Sequence, residues 1–320
     1  MSLNKKLSVI IPNYNGLNYL KKFLPSVIEQ DYQEKEIIIV DNGSDDGSKH
    51  LIRKYNNEII LIELDQNYGF SQAVNEGIKH ARGEYVILLN NDINLTREFL
   101  TTLFQSISQK RNAFSVQSKM LKYKDKTMID DAGNNLSILG WTKKRGTGKS
   151  ARFCDKPAKI FSSCAGAAIY KKSLFDEIGY FDESFFAYLE DVDIGYRSRI
   201  YGYENWYCPD AVCSHVGSGT TGSRYNSFKV RLSARNNVYL VYKNMPLIQL
   251  ILNSPFILVG CFIKWFFFVL KGYGKEYRKG FWEGLTSLEK IKKISFKRKH
   301  LINYLKIEWL LLKNTFTYFF

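Results

Sequence analysis

The chain has 320 residues, 45% hydrophobic and 24% charged, a composition that excludes a disordered protein and allows one large α/β domain with an appendage. Its 46 Lys and Arg against 31 Asp and Glu leave a net charge of +15, which calls for an anionic partner, either lipid headgroups or nucleic acid. No zinc-finger spacing, RNP-type aromatic signature or zipper heptad supports nucleic acid, and no fixed-period repeat supports a solenoid.

The opening MSLNKKLSVIIP is too short an apolar run for a signal peptide and leads straight into a strand, LSVIIP (7–12). Residues 17–30 place Leu20, Phe23, Leu24, Val27 and Ile28 at helical spacing. EIIIVD (36–41) and EIILIEL (58–64) read as further strands. A helix over 71–81 follows, with Ala73, Val74, Gly77 and Ile78 on one face and Gly83 as its stop. EYVILLN (84–90) is a fourth strand. Strands this uniformly apolar are buried on both faces. Their alternation with helices implies a parallel sheet with right-handed crossovers. Ligands of such sheets bind at the carboxyl ends of strands, here residues 12–15, 41–44 and 90–92.

The stretch 122–160 is polar and irregular and reads as a loop or hairpin region over the site. KIFSSCAGAAIY (159–170) returns to strand character, helices are expected over 190–201 and 226–243, and Pro246 ends the second. The last 80 residues hold 14 Lys and Arg against 4 Glu, and 18 of the 48 aromatics. Residues 245–263 carry no charge, close to membrane-spanning length. Gln249, Asn253, Ser254 and Pro255 interrupt that run, however, and the clusters Lys290–Lys293 and Lys297–Lys299 lie near Trp265, Trp282 and Trp309. The pattern predicts docking on an anionic membrane surface without spanning; a homo-oligomer interface is the alternative. Five cysteines (Cys154, Cys164, Cys208, Cys213, Cys261) in a chain this long predict reduced thiols in a cytoplasmic compartment.

Several segments carry chemistry. Asp41 ends a buried strand in IIIVDNGSDDGS, where a carboxylate can meet a base N–H or simply cap the next helix. In DQNYGFSQAVNEG, Gly69 permits close backbone approach and the helix start favours an anion. Asp92 leaves the fourth strand in LLNNDI as a metal-ligand candidate. Glu190, Asp191 and Asp193 crowd one helix start, where the dipole should lower the pKa of Asp191 and leave it ionised as a proton acceptor. Asp193 is read as helix stabilisation. His215, beside a Gly/Ser/Thr loop, could add a ring nitrogen to a metal shell. GTGKS (146–150) is a decoy: Lys143 stands where a phosphate-binding loop needs its first glycine, and no apolar strand precedes it.

Taken in order, VIIPNYNG, VDNGSDDGS, NYGFSQAVNEG, LLNND, CAGAAIY, GYFDESFFAYLEDVDIGYR, SHVGSGTTG and ARNNVYLVYKN resemble family 2 glycosyltransferases, nearest the bacterial rhamnosyltransferase-like group, over about residues 7 to 243. The resemblance implies the GT-A fold, a mostly parallel Rossmann-like sheet flanked by helices. A nucleotide-sugar domain (1–243, with a donor half 1–121 and an acceptor half 122–243) would precede a helical, basic, aromatic appendage (244–320). It implies an inverting transfer of sugar, rhamnose first, from a nucleoside-diphosphate donor to a glycan or lipid-linked acceptor on the inner membrane face. On the donor side it places Asp41 with Pro12 and Tyr14, joined by Asn15, Asn42, Gly69, Asn75 and Asn91. It implies a divalent cation, Mn²⁺ or Mg²⁺, on Asp92, His215 and Asn90, the last standing where the family motif has Asp. Asp191 is the implied base, with Glu190, Gly166 and Trp141 towards the acceptor. The rival classes are a nucleotidyltransferase, which lacks its basic first loop here, and a non-catalytic membrane scaffold.

Overall fold

The computed structural model describes residues 6–217 and 225–319. The Gly/Ser/Thr stretch following His215 therefore lies outside the described residues from position 218.

The first half of the chain alternates as the apolar pattern requires: β1 (Leu7–Asn13), α1 (Leu17–Ile28), β2 (Lys35–Asn42), α2 (Ser48–Arg53), β3 (Ile59–Leu64), α3 (Phe70–His80), β4 (Tyr85–Leu89), a short β5 (Ile93–Leu95) and α4 (Phe99–Ser108). The second half is richer in strands: β6 (Ala113–Lys122), β7 (Asp125–Asp131), β8 (Asn134–Leu136), β9 (Thr142–Lys144), β10 (Ala158–Ile160) and β11 (Ala167–Lys171). Then come α5 (Leu174–Ile178), α6 (Glu190–Ile200), β12 (Glu204–His215), α7 (Ser227–Asn244), α8 (Leu247–Leu270), α9 (Gly274–Thr286) and α10 (Leu301–Phe319). The sheet order is β10-β12-β6-β11-β4-β1-β2-β3. Strands β4, β1, β2 and β3 run parallel, whereas β11 is antiparallel to both β4 and β6. The parallel expectation thus holds up to β4 and gives way to a mixed sheet beyond it.

Burial on both faces is visible within single strands. In β1, Val9 and Ile11 join one core with Leu20, Leu24, Leu100 and Leu103, while Ile10 joins the opposite core with Ala73, Val74 and Ile78. Consecutive apolar residues from Val9 to Ile11 of β1 are needed because α1 and α4 cover one face and α3 the other. A third core lies off the sheet. It gathers Leu136, Trp141, Phe185, Tyr196 and Tyr239 with Ile257, Ile291, Tyr304 and Leu311, so residues beyond 244 share a core with the part of the chain before them.

The segment 122–160 is more ordered than its polarity suggests. β8 and β9 form a separate hairpin with Asn134 opposite Lys144. α8 is one continuous helix of 24 residues, which corrects the reading of Gln249, Asn253, Ser254 and Pro255 as interruptions. Pro255 has no N–H for the carbonyl of Ile251, and Ser254 Oγ donates to that oxygen instead at 2.9 Å.

Candidate active site

The carboxyl ends of β1, β2 and β4 converge because the register sets Asn13 beside Asp41. Asn91 Nδ2 donates to Asn13 Oδ1 at 2.8 Å, and Asn13 Nδ2 donates to Asp41 Oδ2 at 2.9 Å. The Ser44 amide donates to Asp41 Oδ1 at 2.9 Å, and the Asn15 amide donates to Ser44 Oγ at 2.9 Å. Asp41 is wholly buried; its carboxylate ties the ends of β1 and β2, and Asn13 links them in turn to Asn91 beyond β4. Pro12 and Tyr14 are half-buried and Asn15 is exposed at the rim. Gly16 lies so close to Asn13 and Asn91 that a Cβ would displace both side chains.

Asp92 and His215 are also brought together. β12 ends against β5 with His215 opposite Ile93, which leaves His215 Nε2 3.2 Å from Asp92 Oδ1. The other ring nitrogen, Nδ1, is 2.8 Å from Asp130 Oδ2. Burial works to lower the histidine's pKa, but its bonds to Asp130 and Asp92 outweigh it and push the ring up to about 9. Among the described residues no group of three or more His, Cys, Asp or Glu gathers closely enough to hold a metal alone. The donor set here is one carboxylate and one imidazole oriented through its far nitrogen by a second carboxylate. That fits a divalent ion completing its shell with phosphate oxygens and water. Asn90 anchors through its backbone, its amide donating to the Gly166 carbonyl at 2.8 Å. A side chain on Gly166 would press on the Asn90 amide group.

Asp191 opens α6 after an unusual turn. Phe186, Tyr188 and Leu189 have φ of 62°, 71° and 69°, a left-handed conformation that is costly for large side chains. Neighbouring elements hold it. Asn236 Nδ2, on α7, donates to the carbonyls of Phe185, Ala187 and Tyr188 at 2.9, 2.8 and 2.7 Å. The Phe70 amide at the start of α3 donates to Phe186 O at 2.6 Å. Asp191 Oδ2 accepts from Asn134 Nδ2 on β8 at 3.2 Å. The expected dipole effect is overturned: burial, then the nearby Asp131 carboxylate, push Asp191 up to about 6. Glu190 is also raised, by burial and by Asp191, and its buried Oε2 has no hydrogen-bond partner. Asp131 is wholly buried; it accepts from Gln117 Nε2 at 2.9 Å, and Lys144 Nζ lies 3.2 Å from its other oxygen. Burial disfavours the Lys144 ammonium, but Asp131 outweighs it and raises the group.

Other expected residues serve the scaffold. Asn75 is buried; its Nδ2 donates to Phe181 O and Glu183, and its Oδ1 accepts from the Phe181 amide. No polar atom is left for a donor, which corrects its donor-side assignment. Asn42 is likewise occupied by Asn67, Tyr68 and Gly69. At Gly69 the helix start expected to meet an anion is taken by the Phe186 carbonyl. Trp141 is buried against α8, Nε1 donating to Gly260 O at 3.0 Å, while its hairpin neighbours Lys143, Lys144, Arg145 and Lys149 line a basic cavity with it. Asp193, read as simple helix stabilisation, is the hub of a buried ion network with Arg197, Lys243 and Asn244. Sequence reasoning missed Asp130, Asp131, Asn134, Lys144 and Asn236; the acid pair in MIDDAGN and the segment ARNNVYLVYKN, which contains Asn236, were the available signals.

A parallel sheet feeding a mixed one carries carboxylates at its strand ends and at the start of α6. The profile of glycosyl transferase family 2 matches residues 8–179, over half of the chain, and the chain belongs to that family. Curated relatives include poly-beta-1,6-N-acetyl-D-glucosamine synthase of Staphylococcus epidermidis, 26% identical over 273 residues, 82% of this chain and 63% of that protein. The Staphylococcus aureus synthase is 26% identical over 236 residues, 69% of this chain and 55% of that protein. The chain thus spans less than two thirds of these relatives. Among solved structures, GalNAc-T7 with UDP, GalNAc and Mn²⁺ superposes with a TM-score of 0.60 at 18% identity, over 76% of this chain and 48% of that one. The Pyrobaculum calidifontis mannosyltransferase PcManGT with GDP-Man and Mn²⁺ gives 0.57 at 16% identity, over 99% and 84%. S. aureus TarS 1–349 with UDP-GlcNAc gives 0.53 at 19%, over 79% and 70%. These likenesses establish the GT-A fold.

Proposed function

We propose that the protein transfers a sugar from a nucleoside-diphosphate donor to a hydroxyl of a growing glycan on the cytoplasmic side of a membrane, with inversion at the anomeric carbon. The observation that carries this reading is Asp191: a carboxylate at a helix start, held by Asn134 on the hairpin and raised in pKa. Asp191 takes the proton of the acceptor hydroxyl. The acceptor oxygen then bonds to the anomeric carbon as the bond to the diphosphate breaks on the opposite face. Asp92 and His215 are the residues to hold a divalent cation, with Asp130 fixing the imidazole; such a cation supplies charge neutralisation for the departing diphosphate. Tyr14, Pro12 and Asn15 line the donor side, and the Asn91–Asn13–Asp41 chain fixes its floor. Gly166 and Glu190 border the acceptor.

The relatives' names and the ligand of TarS favour UDP-linked N-acetylglucosamine as donor ahead of the rhamnose suggested by the motifs. A thermal-shift panel of nucleotide sugars with Mn²⁺ tests this. UDP-GlcNAc should raise Tm most, and only with Mn²⁺ present. A larger shift with thymidine-linked rhamnose would restore the first expectation, and no shift with any donor would count against the site.

A further inference from the structure

α8 is the one helix among the described residues long and apolar enough to cross a membrane, yet the structure ties it down along one face. Its buried positions are Gln249, Asn253, Ile257 and Gly260, spaced four, four and three apart as one helical stripe demands. Gln249 Oε1 accepts from the Tyr196 hydroxyl at 3.2 Å. Gln249 Nε2 and Asn253 Nδ2 both donate to Glu308 Oε2 on α10, at 2.6 and 3.0 Å. Gly260 abuts the β8–β9 hairpin so closely that a Cβ would strike the Leu139 carbonyl. The polar residues Gln249 and Asn253 therefore belong to the inner face.

The outer faces are unlike those of a soluble protein. Ile248, Leu252 and Leu258 on α8 are 75%, 66% and 60% exposed, and Phe262 is 63% exposed. Ile302, Leu305 and Trp309 make a second exposed stripe on α10, beside Glu308. Lys271, Lys275, Arg278, Lys279, Lys292 and Lys297 are exposed in the same region. Of its four glutamates only Glu289 is exposed; Glu283 pairs with Arg231, and Glu308 accepts from Gln249 and Asn253.

We propose that α8 and the outer stripe of α10 lie flat in the interfacial layer of an anionic bilayer, their apolar side chains immersed and the surrounding cations on lipid phosphates. A helix of 24 residues is about 36 Å long, enough to cross. Crossing would nevertheless drag Glu308, Tyr196 and the hairpin into hydrocarbon, because all are fixed to the α8 inner stripe. The lying orientation avoids this. It also sets the headgroups behind the hairpin whose other end holds Asp191, so a lipid-linked acceptor enters the cleft from the membrane. This last clause rests on the transferase reading; the docking does not.

The full chain is mixed with sealed vesicles of phosphatidylcholine, with and without phosphatidylglycerol, and floated on a density gradient without donor or acceptor, so the outcome is independent of activity. Anionic vesicles should bind about tenfold or more better than neutral ones. Leu252→Glu and Phe262→Glu, at exposed positions, should each weaken binding by about tenfold with Tm unchanged. Trypsin added outside should cut both the catalytic region and residues 271–299. A protected C-terminal fragment would mean a span and overturn the proposal. So would failure to bind either vesicle, undiminished binding by both variants, or a dimer in light scattering that the same substitutions abolish, which would give the face to a second copy.

Discussion

Replacing Asp191 with asparagine should act on turnover and on stability in opposite directions. The shape is nearly conserved, and Asn134 can still donate to the new amide oxygen, so the cleft should keep its form. Turnover should fall by about 10²–10⁴, the usual worth of a general base, with nucleotide affinity little changed. Stability should rise. The carboxyl group moves from 3.8 to about 6 on folding, about two units at about 1.4 kcal/mol each; partial solvent access reduces the sum to on the order of 2 kcal/mol. The folded-state value is the raised one, so the folded state disfavours the charged form. The variant's advantage is therefore absent below the unfolded value of 3.8, grows between there and about 6, and is full above it. At about 2 °C per kcal/mol, Tm should rise by about 4 °C at pH 8 and by nothing at pH 3.5. Transfer assays, nucleotide titration and melting at the two pH values read all three quantities. A loss of turnover under about tenfold, or an unchanged or lower Tm at pH 8, would refute the assignment of the base or of its buried environment.

Asp92→Ala and His215→Ala should raise the Mn²⁺ concentration needed for half-maximal donor binding, and Asp130→Asn should raise it about 10–100-fold by releasing the His215 ring; calorimetric Mn²⁺ titration with UDP checks this, and an unchanged midpoint for His215→Ala returns that histidine to a packing role. Asp193→Ala should cost about 3–5 kcal/mol, because it leaves Arg197 a buried charge without its carboxylate and Lys243 with Asp182 alone; denaturant unfolding measures it. Asn75→Ala should destabilise by about 1–3 kcal/mol, having lost its bonds to Phe181 and Glu183, while leaving the donor KM unchanged; a rise in KM at constant stability would make it a donor ligand after all.

The sequence by itself determined the parallel half of the sheet, since continuous apolar runs such as EIIIVD can only be strands covered on both faces. It also placed the strand-end segments at 12–15, 41–44 and 90–92, because side-chain type and strand termini are local properties. His215 and Asp92, 123 positions apart, could be paired only by family resemblance; the β5–β12 register is what sets them 3.2 Å apart. Tertiary structure alone decided the sign of the Asp191 shift, since burial and Asp131, sixty residues away, overrule the local helix dipole. It alone showed that Gln249 and Asn253 face inward to Glu308: a linear run records that a polar residue is present, and only the packed helix says which side it is on. The same holds for Asn75 and Asn42. Their type suited a sugar or a nucleotide, but hydrogen-bond capacity is finite, and the surrounding loops had already taken theirs.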